Sequence, residues 1–262
     1  MTSQTKELSG ENYLISYRQM RKAVGWLGML LPFVLLIINY AINKLNVLND
    51  SGFVRTECYT GYFACSSYKT SISHYYYSTV GELFTGVLCA VALFMFCYKG
   101  YPKKEGEKGL TDNAMCNLAG IFALGVVIFP TSSNECITDN VRIFLSSDNT
   151  GYLHFGFAAL FFITLAFMSI VNFRREDKVE NFGKGTDQKF YLTCGVTMLL
   201  CIALIFIYEK FLNELDITWL DNLHPVFVLE AIALIAFGSS WLKKGKADFK
   251  FLPRYLHIVK SL

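Results

Sequence analysis

Residues 71–98 read SISHYYYSTVGELFTGVLCAVALFMFCY. The stretch opens polar and aromatic, then becomes an apolar run long enough to cross a bilayer. A carboxylate, Glu82, sits inside that run. A helix continuous from Ser71 places His74, Ser78 and Glu82 at i, i+4 and i+8, one polar stripe descending from a membrane surface. An ionisable group within a spanning segment is expensive, so it ordinarily faces the bundle interior or a wet cavity.

Working outward, the chain holds apolar runs at about 23–42, 78–98, 113–130, 151–173, 189–208 and 222–242. Each is near the ~20 residues that a spanning helix needs. The third is the weakest, because Asn113 and Asn117 shorten it and Pro130 ends it. The runs are continuous instead of alternating, which excludes a barrel pattern. Of the 262 residues, 53% are hydrophobic and 17% charged, against about a quarter charged in a soluble domain. The expectation is an all-α polytopic membrane protein, a single six-transmembrane-helix bundle with a Tyr-rich outer loop. No soluble domain fits beside it. The first run is too long for a signal h-region and lacks a small-residue cleavage site, so it is expected to remain as a span.

Basic residues set the expected topology. All Lys and Arg except Lys44, Arg55, Lys69, Arg142 and Lys210 fall in the N-terminal tail, the second and fourth loops or the C-terminal tail. Positive charge gathers on the cytoplasmic side. Both termini are therefore expected to be cytoplasmic, in a plasma or bacterial inner membrane. Residues 1–22 are expected to include a short helix capped by Ser9. Residues 243–262 are basic with Leu252, Tyr255, Leu256 and Val259 on one helical face, an amphipathic segment for the cytoplasmic surface. Trp26, Trp219 and Trp241 are expected in the interfacial belts. Membrane lipids are the expected partners, and a homo-oligomer through small-residue faces is compatible with the pattern. Topology accounts for the basic residues, so no nucleic-acid partner is implied.

The outer loop, residues 43–77, carries Tyr59, Tyr62, Tyr68, Tyr75, Tyr76 and Tyr77. It also holds Cys58 and Cys65, which can pair as a disulfide on an oxidising side, with Cys136 left over in the third loop. The remaining cysteines fall inside apolar runs, where Cys packs as a small hydrophobe.

On this topology His74, His154 and His224 lie at the outer ends of the second, fourth and sixth runs. Glu82 and Glu230 lie about eight residues inside theirs, roughly 12 Å deep. If those three spans meet, Ser73, His74, Ser78, Glu82, His154, His224 and Glu230 line one outward-opening polar pocket, with Asp148 and Asp221 near the same face. Such a pocket suits a lipid headgroup or another amphiphile. Alternatively His74, His154 and His224 hold a divalent metal that activates water for hydrolysis, since imidazole and carboxylate are usual ligands. No HxxxH or HExxH pair is present, and the sequence assigns no reaction and no cofactor. A third reading is an oligomeric pore or signalling effector.

The pieces SISHYYYSTVGELFTGVLCA, NLAGIFALGVVIFP and GYLHFGFAALFFITLAFM together resemble a six-span superfamily. It includes the damage-regulated autophagy modulators, the GPI-anchor lipid-remodelling factors and uncharacterised bacterial proteins. The resemblance implies lipid handling and carries Ser73, Glu82 and His154 as the corresponding positions. A looser likeness is to membrane hydrolases of the alkaline ceramidase type, which use Ser, Asp and three His around a metal. This chain lacks their paired histidines in the last span and is one span shorter.

Overall fold

The computed structural model describes residues 3–44, 68–100, 109–132, 147–175, 187–212 and 223–245. Among the described residues the fold is all-helical. Six main helices appear in chain order: α1 (Ser3–Lys44), α2 (Gly81–Cys97), α3 (Asp112–Ile128), α4 (Ser147–Phe167), α5 (Gln188–Ile207) and α6 (Pro225–Lys244). α4 continues into a π turn at Met168–Phe173, and α5 into another at Tyr208–Leu212. A short 3-10 turn, Ser73–Tyr77, precedes α2. Four segments are long and apolar enough to cross a membrane, Arg18–Ile42, Thr150–Phe173, Gln188–Leu212 and Pro225–Lys244, while α2 and α3 are shorter apolar helices. The chain is an integral membrane protein by these helices, and its outside is correspondingly apolar. Tyr152, Phe206, Leu93, Phe211 and Ile37 are all more than 60% exposed, a surface that hydrocarbon can cover and water cannot.

The helices close a ring. Each packs against its neighbours in the chain, and α6 returns to pack most extensively on α1. That overturns the expected meeting of the second, fourth and sixth runs. α2 lies chiefly against α1 and α3, and α4 touches α6 only slightly. Antiparallel helices joined in sequence bury their facing stripes on each other, which leaves alternate helices across the ring.

Two glycines permit the α1–α6 closure. A Cβ on Gly238 would lie 2.5 Å from the Gly25 carbonyl oxygen, and one on Gly25 would lie 2.7 Å from the Leu242 side chain. Without side chains the backbones approach closely and gain dispersion contact along their length, which drives packing where lipid removes the hydrophobic incentive. The closed end of this seam is polar. Arg21 is buried and donates to the Tyr98 hydroxyl (3.0 Å) and to the Lys244 carbonyl (3.3 Å). Tyr98, Phe173 and Phe237 pack around Trp241. Trp241 is 1% exposed, so it is a core residue and not part of an interfacial belt. Trp26 is exposed; Trp219 lies outside the described residues.

Across the ring, Asp112 at the start of α3 is fully buried and accepts from the Asn172 amide, with Arg175 at 3.8 Å. Thr111 caps α3 by accepting from the Ala114 N–H. Lys243 pairs with Asp187 at 3.0 Å. Arg21, Tyr98 and Lys244 thus tie α1, α2 and α6 to one another, and Asp112 and Asn172 tie α3 to the end of α4, at one end of the bundle, the Arg21 end. The expected break between an N-terminal helix and the first span is absent, since α1 runs unbroken from Ser3 through Pro32 to Lys44. Of the expected cytoplasmic tail, residues 246–262 lie outside the described residues.

Gly238→Ala is expected to lower stability by about 1–3 kcal/mol through overpacking, read as a fall in the thermal unfolding midpoint in detergent. Gly86→Ala, where an added Cβ meets nothing within 4 Å, is expected to leave that midpoint unchanged or slightly raised.

Candidate functional site

Helix does not run through Ser71–Tyr98. The chain makes the 3-10 turn, passes through an extended Ser78 (φ −108°, ψ 176°) and begins α2 only at Gly81. Ser78 explains the break, because its hydroxyl donates to the Tyr75 carbonyl (2.7 Å) and accepts from the Val80 N–H (3.3 Å). Local side-chain bonds of this kind compete with helix. Gly81 allows the restart, since a Cβ there would lie 2.4 Å from the Tyr76 carbonyl oxygen. The expected stripe of His74, Ser78 and Glu82 therefore does not form. The three side chains go separate ways.

Glu82 points outward. It lies in the first turn of α2 and is exposed, on a face shared with Gly86, Cys89 and Leu93 that the bundle leaves open. A carboxylate suits the positive end of a helix dipole without any partner across the bundle. Glu82 does not face Glu230, and the anticipated pair of carboxylates is not the one that the fold brings together. The acid that Glu230 feels is Glu209, placed by the π turn at the end of α5.

Glu230 takes its partners from the segment before α2. Its Oε2 accepts from the Ser71 hydroxyl at 2.8 Å and from the Ile72 N–H at 2.6 Å, and the Ser73 hydroxyl adds a further contact. Alongside, the Phe227 N–H in the first turn of α6 donates to the Thr70 carbonyl at 3.0 Å. The exchange is reciprocal. A helix N-terminus offers spare N–H groups, and the α6 carboxylate in turn serves the start of the 3-10 turn. Tyr75 is fully buried and packs on the Phe227 ring, 6.2 Å between centroids.

The other edge of the segment grips the exit of α3. Tyr77 donates its hydroxyl to the Thr131 carbonyl at 2.6 Å. The Nδ1 of His74 lies 2.8 Å from the Thr70 hydroxyl, and its ring also meets the Ser132 backbone. Burial holds the His74 imidazole below its ordinary value, and the Lys69 ammonium pushes the same way. His154, 3% exposed near the start of α4, bonds through Nδ1 to the Phe129 carbonyl at 2.8 Å. A carbonyl can only accept, so Nδ1 carries the proton there. The two imidazoles are close enough to interact electrostatically. Three side chains thus satisfy the carbonyls that α3 and Pro130 leave open.

His224 sits just before α6 in the left-handed region (φ 47°, ψ 58°), turning the chain into Pro225 at the first helical position. Among the described residues no three His, Cys, Asp or Glu side chains are grouped as a metal would require, so His74, His154 and His224 do not form a common ligand set there. Cys58, Cys65, Cys136 and Asp221 lie outside the described residues, as does the side chain of Asp148. Ser73 is buried; Ser78 serves its own backbone.

Thr70 and Ser71 carry much of the geometry, and Glu209 acts on Glu230 electrostatically; none of the three stands out in the sequence. The only trace there is an acid, Glu209, beside the end of the fifth apolar run. Among the described residues, His154 Nε2, His224 Nδ1 and the Tyr75 hydroxyl are buried at this Glu230 end without a hydrogen bond of normal geometry, and the Tyr75 hydroxyl lies beside the Lys69 backbone. No family model, no curated protein and no solved structure matches the chain.

Glu230→Ala is expected to cost about 1–3 kcal/mol, the penalty for stranding the Ile72 N–H and Ser71 hydroxyl in a buried site. Glu82→Ala is expected to stay within about 0.5 kcal/mol of the parent. Thermal unfolding of both variants in one detergent distinguishes them, and equal losses would contradict the assignment.

Proposed function

We propose that this protein is a six-span membrane protein with cytoplasmic termini that holds a lipid or other amphiphile at its Glu230 end. α2 and α3 are 17 residues each, about 25 Å of helix against a hydrocarbon core of about 30 Å. Modest thinning or flanking polar residues close that gap. Arg18, Arg21, Lys22, Lys99, Arg174, Arg175, Lys189, Lys243 and Lys244 stand at the Arg21 end, against Lys69 and Lys210 toward the other, and this bias favours a cytoplasmic Arg21 end.

The observation that carries the ligand reading is the set of unpartnered buried atoms, His154 Nε2, His224 Nδ1 and the Tyr75 hydroxyl. A buried polar group without a hydrogen bond is costly, more so where lipid replaces water. A headgroup entering between the Ser73–Tyr77 turn and the ends of α4 and α6 would pair them, while the apolar outer surface accommodates its chains. The resemblance of the SISHYYY, NLAGIF and GYLHFGF segments to lipid-remodelling and autophagy-modulator proteins supports the same class of ligand.

Native mass spectrometry of the protein released from a mild detergent is expected to show a co-purifying amphiphile. His154→Phe and Tyr75→Phe should each lower its occupancy at least severalfold, and Glu82→Ala should not. A bare polypeptide mass, or equal occupancy in every variant, would remove the reading.

A further inference from the structure

The two short helices stand side by side. α2 and α3 pack extensively on each other and hold 17 residues each, about 25 Å of helix. The spanning segments of α1, α4 and α5 hold 25, 24 and 25 residues. One flank of the ring is therefore thinner than the rest, and a bilayer meeting it thins locally.

The outside of that flank also carries polar groups. On α2 the side open to lipid bears Glu82, Gly86 and Cys89, and a Cβ on Gly86 would meet nothing within 4 Å. On α3, Asn113 is exposed and Asn117 half-buried. Residues three and four apart share a helix face, so both stand on the Gly120 side of α3. That side lies against α2: a Cβ on Gly120 would be 2.9 Å from the Phe96 ring and 3.2 Å from the Ala92 carbonyl oxygen. By the same spacing Ala92 is on the Cys89 side of α2. Among the described residues no side chain bonds to those of Glu82, Asn113 or Asn117. An amide facing hydrocarbon without a hydrogen bond is costly, and water or lipid headgroups are what can answer it. Glu82 and Gly86 reach about 8 Å in from the Glu230 end, and Asn113 and Asn117 about 8 Å in from the Arg21 end. Between those levels the two helices present roughly 10 Å of apolar surface, against about 30 Å of hydrocarbon in an undisturbed bilayer.

We propose that the α2–α3 flank is a path along which phospholipid headgroups cross the bilayer passively, in both directions. This rests on α2 and α3 spanning the membrane and is separate from the amphiphile held at the Glu230 end. The headgroup that suits the path is zwitterionic. The Glu82 carboxylate meets its cationic group at one mouth, the Asn113 and Asn117 amides donate to its phosphate from the other, and Lys99 is exposed just past the end of α2. The barrier to crossing is the cost of taking the headgroup charges out of water. A short apolar stretch lowers that cost, and the acyl chains stay in lipid throughout, so the path needs no closed cavity.

Phosphatidylcholine vesicles containing the whole protein and a trace of chain-labelled fluorescent phosphatidylcholine read the transfer, because dithionite bleaches only the outer leaflet. The protein should raise the transfer rate roughly tenfold or more above protein-free vesicles, and the increment should be larger in short-chain than in long-chain phosphatidylcholine. Gly86→Phe fills the open side of α2 and Asn117→Leu removes the deeper amide; each should slow transfer severalfold. Gly156→Phe makes the matching change on the longer α4, where an added Cβ also meets nothing within 4 Å, and should keep the parental rate. Thermal unfolding in detergent checks that each variant folds. Transfer no faster than in protein-free vesicles, or an increment that ignores chain length, would overturn the path without any variant. Parental rates in both Gly86→Phe and Asn117→Leu, or equal losses in Gly86→Phe and Gly156→Phe, would overturn it too. Native mass spectrometry of the same preparation keeps the two readings apart. Retained amphiphile with no transfer defeats this inference alone, and transfer with no co-purifying amphiphile defeats the ligand reading alone.

Discussion

A polar segment packed into an apolar ring of helices needs partners for its donors and acceptors, and one carboxylate supplies its side-chain tie to α6. Glu230 accepts from the Ser71 hydroxyl and the Ile72 N–H. Remove it, and the 3-10 turn loses its hold on α6 while buried donors are left without partners. The Phe227 N–H and the Tyr75–Phe227 ring contact reinforce the same joint. Through Tyr77 and His74 the segment reaches the α3 exit, and through the Thr79 hydroxyl it reaches the buried Asn39 of α1. One short stretch therefore joins α6, α1 and the exit of α3.

The two ends of the bundle solve the same problem differently. At the Arg21 end, long side chains bridge helix ends directly, with guanidinium, phenol and carboxylate groups bonded across the ring. At the Glu230 end, a piece of backbone is inserted and the helices bond to it. The first arrangement has every helix fixed to another helix. The second hangs on a segment anchored by a handful of hydrogen bonds to α6 and to the exit of α3. Between the ends, Gly25 and Gly238 let α1 and α6 close the ring.

The candidate residues came out of the sequence with mixed success, and the reason is local. Glu230 and His154 lie toward one end of the bundle, a level that counting residues along a helix can give. Glu82 sits in the first turn of α2 on an outward face, not about eight residues inside the helix, since both its level and its direction depend on where α2 begins. Ser78 moved that start by bonding its own backbone, and a shift of a few residues in helix phase carries a side chain from the interior to the exterior. Glu209 lies in the π turn that continues α5, which no apolar pattern announces, and acts on Glu230 electrostatically. Trp241 was assigned to an interface by its position near a helix end, yet the Tyr98, Phe173 and Phe237 rings enclose it.

Hydropathy and charge in the chain alone determined that it is helical and lies in a membrane. Those properties add residue by residue and need no knowledge of neighbours. Helix contacts, and with them the identity of the acid that faces Glu230, were decided only by the tertiary structure. Such facing depends on helix phase, on which backbones can approach, and on which donors a carboxylate finds, and each of these is a property of pairs of segments. The histidines make the division plain: their level could be counted, but their partners, a carbonyl at Phe129 and a hydroxyl at Thr70, belong to the packed ring.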